Sequence, residues 1–222
     1  MLLCLNMRGV LSVVATPIGN LEDITLRALR ILKDADAVAC EDTRVTRKLL
    51  SHFDIHTPAI SHTRVLALLS QGKHVALVSD AGTPGLSDPG LELVARARQA
   101  GAKVEAVAGP SALAAAVSVA GLRAPTFAFY GFLPTKKGRE KIFSEIAASG
   151  RASVLYESPH RIMKCLESLR KRLAKGRRVG LYRELTKLYE EAIVGTPAEV
   201  SAILETEPQK QRGEFVVVVE AE

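Results

Sequence analysis

The stretch V-S-D-A-G-T-P-G-L-S-D-P-G at residues 78–90 decides how this chain is organised. It follows a short apolar run at residues 74–78, which predicts a buried strand. A helix is expected from about Pro89 with Asp88 as its N-cap, since proline at the first helical position loses no hydrogen bond. Such a strand–loop–helix junction is where α/β proteins usually hold ligands, and Asp80 and Asp88 offer carboxylates to hydroxyl or amino groups. The alternative is a connection whose aspartates only cap and turn the chain.

Strands and helices alternate around this stretch as far as about Gly121. The first helix is expected to bury Leu26, Leu29 and Leu32 on one face. Strands are predicted at residues 10–15, 37–40, 74–78 and 103–107, and helices at residues 25–33, 45–52, 64–70, 91–100 and 112–120. This alternation predicts a mostly parallel sheet with both faces covered.

The pattern changes after a junction at residues 121–125, where the strands become more closely spaced. A T-P-A-E capping box at residues 196–199 predicts a helix start. Further strands are predicted at residues 126–130, 153–156, 178–184, 190–195 and 214–220, and helices at residues 140–148 and 158–172. We therefore expect two α/β domains, residues 1–122 and 123–222, the second with a partly antiparallel sheet.

Composition limits the classes of protein that the chain can belong to. It has 222 residues, 47% of them hydrophobic, which is enough for a substantial core. The three cysteines, Cys4, Cys40 and Cys165, lie far apart, which disfavours a disulfide framework or a zinc site and favours a reducing cytoplasm. Neither a signal peptide at residues 1–6 nor an apolar run of transmembrane length is expected. The net charge of +6 suits a polyanionic partner such as RNA, but no tryptophan is present to build a broad stacking platform.

Polar loops follow four of the predicted strands in the first half of the chain. They are T-P-I-G-N at residues 16–20, E-D-T-R at 41–44, the loop at 79–88 and G-P-S-A at 109–112. The carboxyl ends of parallel strands meet at one edge of a sheet, so these loops are expected to form a binding crevice. Thr43 is expected to cap the helix that follows E-D-T-R. The first loop is neither G-x-G-x-x-G nor a Walker A sequence, which argues against a dinucleotide or P-loop site.

Charged groups are concentrated at three places in the second half. A basic cluster of Lys136, Lys137, Arg139 and Lys141 lies beside Phe132, either to contact phosphates or as a solvated helix start. Y-E-S-P-H-R at residues 156–161 and R-E-L-T-K at 183–187 follow predicted strands. Their side chains can bind phosphate or orient a hydroxyl, but spacing alone identifies no nucleophile–base pair.

Seven ordered motifs resemble the tetrapyrrole (precorrin) methylase superfamily and its branch of ribosomal RNA methyltransferases. They are A-T-P-I-G-N-L-E-D-I-T, C-E-D-T-R, the stretch at residues 78–90, A-G-P-S-A, Y-G-F-L-P, Y-E-S-P-H-R and R-E-L-T-K. The resemblance implies two α/β domains with S-adenosylmethionine in the cleft between them, and a homodimer. It also implies 2′-O-methylation of a decoding-centre cytidine in 16S rRNA. Because the methyl group is already activated we expect no metal, and because the substrate lies inside folded RNA we expect the assembled 30S subunit to be preferred. Relatives usually carry a longer segment between Ile60 and Val65 and a small helical domain after the last strand.

The resemblance also implies cofactor-binding residues, and the chemistry of other side chains suggests RNA contacts and catalytic groups. Cofactor-binding positions are Pro17, Gly19, Asp80, Gly82, Thr83, Pro84, Ser87, Asp88, Pro110, Ser111, Ala112, Tyr130, Gly131 and Phe132. Residues expected to contact RNA are Lys136, Lys137, Arg139, His160 and Arg161, and catalytic candidates are Glu41, Asp42, Arg44, Glu184 and Lys187. We expect in-line attack of the ribose oxygen on the methyl group, with Glu41, Asp42 or Glu184 taking the proton.

Two other functions remain open from the sequence. One is a tetrapyrrole C-methyltransferase on the same fold, which the basic cluster and the T-P-I-G-N loop disfavour. The other is a module that binds RNA or the cofactor without turnover, which the sequence leaves open because it does not identify the base.

Overall fold

The computed structural model describes residues 8–87 and 90–222, which form two compact units. The N-terminal unit ends at Ser111, and the C-terminal unit covers Ala112–Glu222. The expected N-cap Asp88 and first helical residue Pro89 lie outside the described residues, as does Cys4. Within the part of the chain that is described, no helix has the length and apolar character that crossing a membrane requires.

The N-terminal unit is a five-stranded sheet in the order β3-β2-β4-β1-β5, with every pair parallel. Its strands are β1 (Val10–Val14), β2 (Ala37–Cys40), β3 (Ala59–Ser61), β4 (His74–Leu77) and β5 (Lys103–Val107), and its helices are α1 (Leu26–Asp34), α2 (Thr43–His52), α3 (Val65–Ser70) and α4 (Gly90–Gln99). Short 3-10 turns occupy Leu21–Asp23 and His62–Arg64. The predicted parallel sheet is confirmed.

Both faces of this sheet are buried, because alternate side chains along each strand enter separate hydrophobic clusters. Val14 of β1 belongs to the cluster beneath α1 and α2, whereas Leu11 belongs to the cluster beneath α3 and α4. This two-sided burial is the usual environment of parallel strands.

Two details of the N-terminal unit differ from prediction. Strand β3 was not expected; it pairs with β2 over three residues, too short a segment for periodicity to reveal. The prediction that Leu26 lies on the buried face of α1 is wrong, because this side chain is 86% exposed. The buried face is formed by Ala28, Ile31 and Leu32, because Leu26 is the first residue of the helix and projects away from that stripe.

The C-terminal unit contains a mixed sheet in the order β6-β7-β10-β8-β9. Its strands are β6 (Phe127–Phe132), β7 (Ala152–Glu157), β8 (Val179–Arg183), β9 (Glu191–Gly195) and β10 (Phe215–Val219), and its helices are α5 (Ala112–Val119), α6 (Arg139–Ala148), α7 (Ile162–Arg170) and α8 (Pro197–Thr206). Only the β6–β7 pair is parallel among its ladders. The expected partly antiparallel sheet and the capping box of Thr196 and Glu199 are both confirmed.

Helix α7 begins at Ile162, four residues later than the predicted start at Ser158. Residues 158–161 form a turn instead, in which the Arg161 N–H donates to the Ser158 carbonyl at 3.0 Å. The Ser158 N–H is directed to the Glu157 carboxylate, which favours this turn over a helical turn.

Helix α5 belongs with the C-terminal unit, where it packs against β10. The sequence places the domain boundary later, after residue 122. An Ala-rich helix of eight residues fits the sequence pattern of either unit, and the boundary after residue 122 stays a prediction.

Candidate functional site

Four polar loops meet at the carboxyl edge of the N-terminal sheet, as the sequence predicts. The loop after β1 and the loop after β4 exchange two backbone hydrogen bonds, Thr16 N to Gly82 O at 2.9 Å and Gly82 N to Thr16 O at 3.0 Å. The Thr83 hydroxyl donates to the Pro110 carbonyl at 2.9 Å, which joins the loop after β5. The Asp42 N–H donates to Asp80 Oδ1 at 3.3 Å, which joins the loop after β2.

Gly82 lies close to residues of two of the other loops. Its φ of +81° lies in the left-handed region that favours glycine. A Cβ there would lie 3.2 Å from Ile18 Cγ2 and 3.9 Å from the Pro110 carbonyl oxygen. The crossing therefore needs a residue without a side chain.

The N-cap of α2 is Asp42 rather than the expected Thr43. Asp42 has extended backbone angles, and its carboxylate accepts from the Arg44 N–H at 2.8 Å. The Arg44 guanidinium also binds this carboxylate, with Nη2 2.7 Å from Oδ2. Hydrogen bonds from the Arg44 side chain and backbone lower the pKa of Asp42 to about 2. Arg44 itself remains 84% exposed, so its guanidinium faces solvent beside the capped helix.

The proposed cofactor residues of the N-terminal unit surround this crossing in the loops. Pro17 and Pro84 are buried, whereas Gly19 and Ser87 are exposed, and Ser87 has a φ of +71°. Thr83, Pro110 and Ser111 are partly buried. Asp88 lies outside the described residues, and Ala112 begins α5.

Phe132 lies at the carboxyl end of β6, where the strand is irregular. Gly131 has a φ of +59° at a register shift between β6 and β7. Phe132 is exposed, and its ring meets Tyr156 edge-on at 5.4 Å between centroids. Tyr130 instead packs against the core of the unit. The hydroxyl of Tyr156 accepts the Leu113 N–H at 3.1 Å, which ties this aromatic pair to α5.

Arg139 and Arg161 form a buried cluster with Glu157, so Arg139 is not the surface RNA contact that the sequence suggested. The Glu157 side chain is completely buried; it accepts a hydrogen bond from Arg139 Nη2 at 2.5 Å and forms an ion pair with Arg161 Nε at 2.8 Å. The Arg139 guanidinium also lies 5.1 Å from the centre of the Phe143 ring. Arg161 is 23% exposed, and its Nη1 donates to the Leu133 carbonyl. In the same segments Lys136, Lys137 and His160 are exposed.

Glu184 and Lys187 form a second ionic cluster, at a turn with unusual backbone angles. Glu184 and Thr186 have φ values of +51° and +66°, a conformation uncommon for residues with side chains. Lys187 Nζ bridges Glu184 Oε1 at 3.0 Å and Glu214 Oε2 at 2.9 Å. Burial raises the pKa of Glu184, but hydrogen bonds from the Glu214 N–H and Lys187 outweigh it and keep that pKa below its usual value.

Glu214 was missed by the sequence reasoning. The glycine that precedes it in the sequence, Gly213, was the available signal. Its φ is +96°, and a Cβ there would lie 2.6 Å from Glu184 Cγ. The register pairs Phe132 with Tyr156, Glu157 with Phe215 and Phe215 with Arg183. The aromatic pair and both ionic clusters therefore lie at one edge of the C-terminal sheet.

Among the described residues, no group of three or more His, Cys, Asp or Glu side chains is arranged to hold a metal ion. Cys40 and Cys165 are buried free thiols. Burial raises the pKa of Cys165 to about 12, so this thiol is protonated at neutral pH.

Comparison with known proteins identifies the family of the chain. Residues 10–201 match the family model described as Tetrapyrrole (Corrin/Porphyrin) Methylases. A relative from Neisseria meningitidis serogroup B, named ribosomal RNA small subunit methyltransferase I, is 45% identical, covering 95% of this chain and 76% of its own. The protein of that name from Escherichia coli O157:H7 is 44% identical, covering 97% of this chain and 79% of its own.

A solved structure, uroporphyrin-III C-methyltransferase from Thermus thermophilus, superposes with a TM-score of 0.68 at 22% identity, over 96% of this chain and 94% of that one. At this identity the likeness shows the fold. Combined with the close sequence relatives, it shows that the chain belongs to the tetrapyrrole methylase family, within the group of ribosomal RNA small subunit methyltransferase I.

Proposed function

We propose that this chain transfers a methyl group from S-adenosylmethionine to the 2′ oxygen of a cytidine in the decoding centre of 16S rRNA. The observation that carries the proposal is the relatives named ribosomal RNA small subunit methyltransferase I, which match almost the whole chain at 42–46% identity. The substrate is the assembled 30S subunit, and the protein acts in the cytoplasm as a homodimer.

The loops of the N-terminal unit have the chemistry that the cofactor requires. Gly82 is buried where a side chain would crowd the crossing of three loops, and the exposed Asp80 offers a carboxylate to amino or hydroxyl groups. When bound, S-adenosylmethionine supplies a methyl group on a positively charged sulfur, which needs no metal for activation. The residues proposed to hold it are Pro17, Gly19, Asp80, Gly82, Thr83, Pro84, Ser87, Asp88, Pro110, Ser111, Ala112, Tyr130, Gly131 and Phe132.

Exposed cations supply the contacts to RNA. Lys136 and Lys137 lie on the loop before α6, and His160 lies in the turn before α7. Arg44 presents its guanidinium to solvent while Asp42 restrains it. Such side chains position an RNA backbone through its phosphates without reading bases. Arg139 is left out of this set, because its guanidinium is committed to Glu157.

The proton of the ribose hydroxyl needs an acceptor. An ideal general base has a pKa near the working pH, and two of the candidate carboxylates have a pKa well below it. Asp42, with a pKa of about 2, and Glu184, with a lowered pKa, are ionised at neutral pH but bind protons weakly. We therefore infer that alignment of the ribose oxygen with the methyl group supplies most of the rate enhancement. In this account Glu184 and Lys187 act mainly by holding the turn that follows β8.

The test is transfer of labelled methyl from S-adenosylmethionine to unmodified 30S subunits, followed by nuclease mapping of the 16S rRNA. The proposal expects label in a nuclease-resistant 2′-O-methyl dinucleotide, and much less transfer to a short free oligonucleotide. Transfer to a tetrapyrrole instead of RNA would establish the alternative C-methyltransferase. Cofactor binding without transfer to either substrate would establish a binding module and refute the proposed reaction.

A further inference from the structure

A second basic site lies in the C-terminal unit, at the sheet edge opposite to the one that carries Phe132 and Glu157. It is a cavity of about 310 Å³ lined by Arg123, Arg151 and Arg178, together with Glu220. We call this the arginine pocket. None of its arginines belongs to a motif that suggested a site in the sequence.

Strand register explains why these residues converge. Phe127 pairs with Ala152, Ser153 pairs with Val219, and Val219 pairs with Val179. The segment before β6, the turn before β7, the start of β8 and the end of β10 therefore share one edge. Arg123 and Arg151 lie in the first two of these segments, Arg178 immediately precedes β8, and Glu220 immediately follows β10.

A buried arginine holds the walls of the pocket in place. Arg177 donates from Nη1 to Ala147 O at 2.8 Å, from Nη2 to Ser149 O at 2.9 Å and from Nε to Glu220 O at 2.9 Å. These bonds tie the turn that carries Arg151 to the end of β10. The charged side chains consequently project from a connected backbone rather than from independent loops.

The pocket has more positive than negative charge. Arg178 Nε lies 3.7 Å from Glu220 Oε1, a long ion pair. Across residues 8–87 and 90–222, no carboxylate forms an ion pair with Arg123 or Arg151. Three arginines thus face one carboxylate around a cavity large enough for a ligand group. The planar fork of arginine matches phosphate oxygens, so the missing counter-charge is best supplied by phosphate.

Two exposed glycines, Gly121 and Gly150, also line the pocket. A Cβ built on Gly121 or on Gly150 would meet no atom within 4 Å. Backbone on two sides of the arginines is thus open.

We propose that the arginine pocket binds phosphate groups of the RNA backbone, at a site separate from the loops and clusters that serve the reaction. This inference rests on the proposed function for the identity of the polyanion. It predicts that the pocket contributes affinity and orientation for the ribosomal substrate and leaves the chemical step unchanged.

The test compares the double variant Arg123→Ala/Arg151→Ala with the wild type and with Arg98→Ala, an exposed arginine of α4 that serves as the matched control. Affinity for a 16S rRNA fragment is measured by fluorescence anisotropy across a salt series. The double variant is expected to bind roughly tenfold more weakly, and its slope of log affinity against log salt is expected to fall by about 1 for each arginine removed. In methyl transfer to 30S subunits KM rises with kcat unchanged, and affinity for S-adenosylmethionine stays the same.

An unchanged RNA affinity and salt slope in the double variant would overturn the inference. A calorimetric titration with pyrophosphate separates the two sources of phosphate: loss of pyrophosphate binding with full retention of RNA binding would assign the pocket to a free phosphate compound and refute the RNA role. Failure of the wild type to methylate rRNA would refute the proposed function by itself, while the anisotropy comparison still tests the pocket.

Discussion

Replacing Glu157 by glutamine tests the buried ionic cluster most directly. The Glu157 side chain is 0% exposed and is held by three polar partners. Oε2 accepts from Arg139 Nη2 at 2.5 Å, whereas Oε1 accepts from the Ser158 N–H at 2.8 Å and forms an ion pair with Arg161 Nε at 2.8 Å. Glutamine keeps the shape of the side chain, but it removes the negative charge and turns one acceptor into a donor.

The structure sets the expected size of the effect. Removing one partner of a buried ion pair costs about 3–5 kcal/mol, because the other charge stays buried without compensation. The Arg139 side chain is 10% exposed, and its Nη1 already lacks a hydrogen-bond partner among the described residues, so it cannot rehydrate easily. Arg161 is 23% exposed and can turn partly toward water. We therefore expect a loss of about 3 kcal/mol in the free energy of unfolding of the C-terminal unit.

Urea unfolding followed by far-UV circular dichroism measures this loss, since the chain has no tryptophan to report by fluorescence. The matched control is Glu167→Gln, whose carboxylate is 42% exposed and pairs with Arg170 and Lys171. An exposed pair of this kind contributes about 0–1 kcal/mol. If Glu157→Gln destabilises the protein no more than Glu167→Gln does, the buried cluster does not stabilise the fold and the reasoning is refuted.

Two further predictions concern the N-terminal loops. Gly82→Ala places a side chain at a φ of +81° and 3.2 Å from Ile18, so we expect weaker S-adenosylmethionine binding by calorimetry as well as a stability loss of roughly 1–2 kcal/mol. Gly72→Ala is the control, because its φ of +78° carries similar strain with no atom within 4 Å, and equal cofactor affinity in the two variants would contradict the close-approach argument. Asp42, with a pKa of about 2 against a usual 3.8, stabilises the folded chain fully above pH 4 and loses this contribution as the pH falls toward 2. In the Asp42→Asn variant the melting temperature should therefore depend less on pH between pH 4 and 2 than it does in the wild type. The same pH dependence in both proteins would show that the Arg44 contact adds nothing to stability.

Sequence patterns were sufficient for the architecture and for part of the candidate site. The alternating strands and helices before residue 121 predicted the parallel sheet, and polar loops after four of its strands predicted the meeting of residues 16, 42, 80 and 110. Strand direction alone forces those loops to one edge, so no knowledge of packing was needed.

Sequence patterns failed where side-chain burial decided the outcome. Arg139 belongs to a run of cations that looks uniformly solvated, yet its neighbour in space is Glu157, eighteen positions away in the chain. Thr43 and Asp42 are both good caps, and only the backbone angles determine which of them caps α2.

By itself, the sequence determined the class of fold and the family, because these depend on local periodicity and on ordered motifs. Only the tertiary structure decided which charged side chains are buried, which carboxylates form ion pairs with arginine or lysine, and where the arginine pocket forms. The physical reason is that ion pairs and cavities depend on strand register between distant segments. Arg123, Arg151, Arg178 and Glu220 are separated by tens of residues, and only the paired strands β6, β7, β10 and β8 bring them to one edge.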